Sequence, residues 1–173
     1  MTPRSILLAI AAIAACASPL PGSAQQHQNM PGMNMEDTYS KLAFRPGLSE
    51  LMMAFVQPRH IKLGLAGAAQ NWDYATYELK ELRDTFDGIG QLILKHGQLS
   101  IPEAIAATVK QPLDALDAAI KAKDSAGFTK AYADLTTACN ACHQSAAHAM
   151  IVIQVPNVSG TAFPDQDFNP PKK

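Results

Sequence analysis

Five consecutive residues near the C-terminal end, Cys139-Asn140-Ala141-Cys142-His143, carry the strongest chemistry in the chain. Two thiols one helical turn apart can add to the two vinyl groups of a porphyrin, and the histidine directly after them is then placed under the iron. One imidazole nitrogen serves as the proximal ligand, and the other needs an acceptor that fixes the ring's orientation. The same residues would suit a redox dithiol or part of a metal site. A thioredoxin-like dithiol wants a βαβ context, which the sequence lacks, and a zinc site wants at least one more ligand. One covalent haem c is therefore the expected cofactor, attached at Cys139 and Cys142 and ligated through iron by His143.

Other chemistries find less support. No Ser/His/Asp triad, phosphate loop or paired-carboxylate arrangement stands out, so no catalytic residue is assigned and an enzyme is not expected. The formal net charge of −1 and the lack of a Lys/Arg patch argue against nucleic acid or an anionic membrane surface as partner. His27 and the segment Met30-Pro31-Gly32-Met33-Asn34-Met35 offer imidazole and thioether ligands that suit copper, although their composition reads first as a flexible lead-in.

The elements that must position the motif follow from apolar spacing. Arg4, the apolar run from Ile6 to Ala15, and the small residues Gly22-Ser23-Ala24 read as a signal peptide over residues 1–24. Ile13-Ala14-Ala15-Cys16 resembles a bacterial lipobox, which makes a lipid anchor at Cys16 the alternative. Both place the mature chain outside the cytoplasm, in the periplasm, and the apolar run is too short for a transmembrane span. With the leader removed, Cys139 and Cys142 are the only cysteines, and a disulfide between them would close almost no loop.

Residues 25–45 form the lead-in, 46–149 a four-helix haem domain and 150–173 an irregular tail. The first helix carries the stripe Leu48, Met52, Phe55, Leu63 and Ala66, flanked by Met53, Val56, His60 and Gly67, with Pro58 expected to kink or restart it. The second is capped by Asn71 and buries Trp72, Ala75, Leu79, Leu82, Phe86, Ile89 and Ile93, while Glu78, Lys80, Glu81, Arg83 and Asp84 cover its outer side. His96 and Gly97 read as its C-terminal cap, and Trp72 as a core anchor or a haem-edge contact. Ser100-Ile101-Pro102-Glu103 is a capping box that starts the third helix, which Pro112 bends. Asp124 caps the fourth, whose core positions Phe128, Tyr132 and Leu135 continue in register onto Cys139, Cys142 and Ala146. The cysteines thus project from the inward face, and His148 falls off it into solvent. Gly64 and Gly67 permit close approach of the haem or a neighbouring helix. Short connections suit an all-α, antiparallel four-helix bundle.

A lone Cys-x-x-Cys-His on the last of four helices resembles the class II cytochromes c, meaning cytochrome c′ and its low-spin relatives, over residues 47–148. The resemblance implies haem held near one end of the bundle, with Cys139, Cys142 and His143 in the attachment roles, and it is compatible with a homodimer through the first two helices. Two departures stand out. Ala146 replaces the aromatic usual three residues after the motif's histidine, and the tail beyond Met150 is long enough to fold back over the haem edge. In those proteins the far side of the haem meets the first helix and is either open or filled by Met. Here His60 is the foremost candidate for sixth ligand, with Met52 and Met53 behind it. At about 1.5 Å per residue an antiparallel first helix brings Met52 level with His143, whereas the family pattern points deeper, towards His60. The expected function is electron transfer with redox partner proteins. The alternatives are a five-coordinate haem protein that binds NO or CO, and a copper-binding module using the Met-rich lead-in.

Overall fold

The computed structural model of the protein describes residues 38, 40–42, 44–157, 163 and 166–171. The leader with Cys16, and His27, Met30, Met33 and Met35, lie outside the described residues. Helix dominates what is described, and one two-stranded hairpin is the only sheet among those residues.

The first helical rod is a composite of α1 (Leu48–Leu51), a π-helical stretch (Met52–Val56) and α2 (Gln57–Ala68). Its irregularity traces to Pro58, which lacks an N–H and whose ring crowds the carbonyl four residues back. The rod does not break or restart there. It widens instead, so that the Gln57 N–H reaches the Met52 carbonyl. The widened turn rotates the faces around it, and Leu51, Val56, His60 and Leu63 become the buried set. Phe55, expected in the apolar stripe, is 53 % exposed as a result.

Helix α3 (Trp72–Leu92) starts where Asn71 accepts a hydrogen bond from the Tyr74 N–H at 3.3 Å. It buries Ala75, Leu79, Leu82, Phe86 and Ile89 as the spacing predicts. Glu78 departs from expectation: it is only 1 % exposed, since Arg59 reaches across from α2 to its carboxylate at 3.1 Å. The same guanidinium holds Glu81 at 3.1 Å. A carboxylate this buried is tolerated because it is paired.

After α3 the chain forms a hairpin, β1 (Lys95–His96) with β2 (Leu99–Ser100), turning at Gly97 with φ +60. His96 and Gly97 therefore belong to the hairpin and do not cap the helix. Ser100 stands at the N-cap of α4 (Ile101–Thr108) without a side-chain capping bond. The capping box is not formed, and the first N–H of the helix, on Ile101, is met by the Leu94 carbonyl at 3.1 Å. The expected third helix is divided at Val109 into α4 and α5 (Lys110–Ala122). Pro112 again explains the position, because its ring excludes a helical carbonyl at Thr108, where α4 ends.

Helix α6 (Ser125–Ser145) is capped by Asp124, which accepts from the N–H groups of Ala126 and Gly127 at 3.1 and 3.0 Å. One core joins the helices, with α2 on α3, α5 on α6, α3 on α5 and α2 on α6. Helices α2 and α6 run antiparallel: His60 meets Tyr132 and Thr136, Gly64 meets Tyr132, and Gly67 meets Phe128. A Cβ on Gly64 would lie 2.6 Å from the Tyr132 ring, and one on Gly67 would fall within the ring of Phe128. The close approach is thus between neighbouring helices. The tail has no regular structure but is docked, with Phe168 stacked on Tyr74 at 5.7 Å and the Asn71 side chain donating to the Asn169 carbonyl at 3.1 Å.

Gly67→Ala should therefore lower stability by about 1–3 kcal/mol through overpacking. Gly88→Ala, where no atom stands within 4 Å of the added carbon, should instead leave stability unchanged or raise it by up to about 1 kcal/mol. Urea unfolding of the two variants checks this, and equal midpoints would contradict the close contact.

Candidate functional site

The helices part around a cavity of about 590 Å³. Met52 and Val56 of the π stretch, Phe86, Ile101, Ile105 and Val109 supply much of its apolar wall. Cys139, Cys142 and His143 of α6 open into the same space, as the register along that helix predicts. Among the described residues no Lys, Arg, Asp or Glu lines it.

Both cysteines are free thiols. Burial, with a contribution from Cys142, pushes the Cys139 thiol up to about 11, and burial raises Cys142 as well. A thioredoxin-type nucleophile needs the opposite shift. Among the described residues no three His, Cys, Asp or Glu side chains converge to hold a bare metal ion. The raised thiols speak against the redox-dithiol reading of the motif.

His143 is oriented by backbone. Its Nδ1 lies 2.8 Å from the Ile151 carbonyl, so Nδ1 carries the proton and donates it, and Nε2 keeps its lone pair. That carbonyl comes back to the helix because α6 ends in a tight reversal. Ala147 takes the left-handed conformation with φ 59, the His148 N–H bonds the His143 carbonyl at 2.7 Å, and the Ala147 N–H bonds Gln144 at 3.2 Å. The following residues then pass back along α6, where Asn140 holds them at both ends of its amide. The Asn140 side chain donates to the Ile153 carbonyl at 2.9 Å and accepts from the Ile153 N–H at 2.8 Å. Ile151 and Ile153 thereby become part of the cavity wall.

His60 also reaches the cavity but is only 4 % exposed. Tyr132 donates its hydroxyl proton to the His60 backbone carbonyl at 2.6 Å, so Nδ1–H, 2.9 Å away, donates to the phenolic oxygen. Nε2 lies 3.2 Å from the Thr136 hydroxyl, whose own proton goes to the Tyr132 carbonyl at 2.9 Å. Burial lowers His60 to about 4, so the ring is neutral. Met52 is half-buried in the wall, and Met53 stands at its rim with 66 % exposure. His148 is not a solvent-facing residue of the helix. It lies beyond the helix end, half-buried, its ring 5.1 Å from that of His96, and both line the cavity. Trp72 sits edge-on to Phe128 at 6.1 Å and is absent from the cavity wall, which makes it a packing anchor.

The contributions of Asn140, Ile151, Ile153, Tyr132 and Thr136 were not read from the sequence. The signal for Asn140 was available, since a polar side chain occupies a variable position of the motif on a half-buried helix face. Its partner is backbone, however, which no residue type advertises. No protein family, curated protein or solved structure matches this chain.

A neutral buried His60 has a consequence for acid stability. Between its ordinary value of 6.5 and about 4 the unfolded chain binds a proton that the folded chain refuses. Stability is full above that window and falls as pH drops through it, by about 3 kcal/mol at most. Urea unfolding of wild type and His60→Gln from pH 7 to pH 4 should show the steeper loss in wild type, and parallel curves would contradict it.

Proposed function

We propose that the chain is an exported c-type haem protein of the class II kind whose role is electron transfer. The observation that carries this reading is the convergence of Cys139, Cys142 and His143 on one apolar cavity, with the Nδ1 proton of His143 committed to a backbone carbonyl. Volume, wall and donor set all suit the group. The cavity volume, about 590 Å³, lies within the range of cofactor sites. Its wall is apolar, and the imidazole presents Nε2 as the remaining donor. Cys139 and Cys142 would hold the group covalently, His143 would ligate its iron, and the group would supply a one-electron couple. Helical segments packed about a single core are the frame that a four-helix haem bundle requires. Export rests on the leader-like residues 1–24.

Helix register favours Met52 over His60 as sixth ligand. His60 lies against Tyr132 and Thr136, Gly64 against Tyr132 and Gly67 against Phe128, so each step forward along the first rod matches a step back along α6. Continued towards the cavity, that register brings Met52 level with His143. His60 is about 12 Å deeper along the helix axis, and its Nδ1 is committed to the Tyr132 hydroxyl oxygen. A thioether at that level supports the six-coordinate, electron-transferring alternative over the open, gas-binding one.

Expressed in a host competent for cytochrome assembly, the protein should exceed its polypeptide mass by one haem, and Cys139→Ala combined with Cys142→Ala should remove that excess under denaturing conditions. A bare polypeptide mass in such a host would end the reading. Met52→Ala should turn a sharp low-spin ferrous spectrum into a high-spin one that responds to carbon monoxide, while His60→Gln should leave it low-spin. The reverse pattern would return the ligand role to His60.

A further inference from the structure

We infer that Asn140, in the motif's own variable position, is a positioning residue for the His143 imidazole, acting through the C-terminal strap. The inference rests on the haem reading proposed above, and it assigns a further residue that tunes that same site.

The geometry forms a closed circuit. Asn140 and His143 lie one turn apart on α6, and the strap that passes them is fixed to both. Asn140 engages the N–H and the carbonyl of Ile153 together, at 2.8 and 2.9 Å, which sets the strap's register as well as its distance. Two residues earlier along the strap, the Ile151 carbonyl receives the His143 Nδ1 proton at 2.8 Å. Sliding the strap by one residue would break both Asn140 bonds and withdraw that carbonyl. Asn is suited to this task because one planar amide offers a donor and an acceptor side by side. Asp would keep only the acceptor, and an aliphatic residue neither.

Two features outside the circuit point to a strap held in place. The reversal that launches it puts Ala147, a residue with a Cβ, at φ 59, a conformation that is unfavourable for any residue but Gly and persists only when the surroundings enforce it. Further on, Pro156 lies where a side chain on Gly64 would stand, 2.7 Å from such a Cβ, so the strap is seated against α2 as well. Between these anchors Asn140 provides the polar fixing point nearest to His143.

The chemical consequence concerns the donor strength of Nε2. A proton shared from Nδ1 to a carbonyl makes the imidazole a stronger base at its other nitrogen, which favours ferric over ferrous iron. Releasing the strap should weaken that donation and shift the equilibrium towards the ferrous form.

The test compares the full-length holoprotein of wild type with Asn140→Leu, Asn140→Asp and Ile153→Pro, each checked for covalent haem by mass. Ile153→Pro removes the N–H that Asn140 accepts without touching the motif, so it covers the case in which Asn140→Leu impairs attachment or folding. Three readouts are taken: amide exchange across residues 150–157, the reduction potential, and the iron–histidine stretching band of the ferrous state with the sixth ligand removed by Met52→Ala. Asn140→Leu and Ile153→Pro should lose strap protection, lower the iron–histidine frequency, and move the ferric/ferrous equilibrium roughly tenfold, about 59 mV for one electron, in the positive direction. Asn140→Asp should fall between them and wild type. Lost protection with an unchanged potential and band would overturn the positioning role. Retained protection in both Asn140→Leu and Ile153→Pro would overturn the clamp itself. Absence of haem from wild type would instead defeat the proposed function, and the exchange data would still decide whether Asn140 holds the strap.

Discussion

The contact on which the rest of the molecule depends is the meeting of α2 and α6 at two glycines. Gly64 and Gly67 present bare backbone to the rings of Tyr132 and Phe128, and neither position could carry even a methyl group without displacing them. Such a contact fixes register, because sliding by one residue would drive a ring into a side chain. Register then decides everything further along the pair. It sets His60 between Tyr132 and Thr136 and brings the π stretch opposite the end of α6 where the two thiols and His143 lie.

Beyond that contact the helices enclose space that their own side chains leave unfilled. Protein interiors are close-packed, and voids much larger than a water molecule are few. The apolar cavity of about 590 Å³ is not a sealed void of that kind, since it opens to solvent along the exposed rim residues Gly47, Ser49, Met53 and Gln57. Ala104 and Ala146 line it where larger side chains could have filled it. The Ala146 that departs from the class II pattern thus falls on the cavity wall, on the same helical face as Cys139 and Cys142. A wall with two thiols and an imidazole, and without Lys, Arg, Asp or Glu among the described residues, suits a large planar apolar guest better than a polar metabolite. The apolar wall thus adds a physical ground for the proposed haem to the one the motif's spacing supplies.

Much of this was legible in the chain, and the limits were specific. Apolar spacing gave the faces of α3 and α6 because those helices are regular, and Asn71 and Asp124 announced their starts because a capping side chain acts within three residues. Phe55 escapes the apolar stripe because a π turn breaks the period that the spacing follows. Glu78 lies inward although it is a carboxylate, because its partner Arg59 comes from another helix, and Ser100 makes no cap because the Leu94 carbonyl renders one unnecessary. The thiols and His143 were found by type and spacing, whereas the carbonyl of Ile151 and the amide of Asn140 escaped notice. One is backbone, and the other acts on backbone across a strap that carries no pattern of its own. Sequence displays chemistry held in side chains far better than chemistry held by the path of the chain.

The π stretch joins the fold to the proposed function. Pro58 forbids a regular turn before it, and the chain could have answered with a break, as it does at Val109 ahead of Pro112. At Pro58 it keeps the helix and admits one extra residue, at the level where the rod borders the cavity. The widened turn lets Leu51 and Val56 both reach the core although they are five residues apart, and it leaves Met52 half-buried in the cavity wall with Met53 turned outwards. A regular helix through the same residues would bury Phe55 on the apolar stripe, where its ring would compete for the space a bound group needs. Two prolines in similar apolar helices thus produce different outcomes at one cavity: the rod that places Met52 in its wall stays continuous, while the rod that brings Ile101, Ile105 and Val109 to the same wall breaks into two helices.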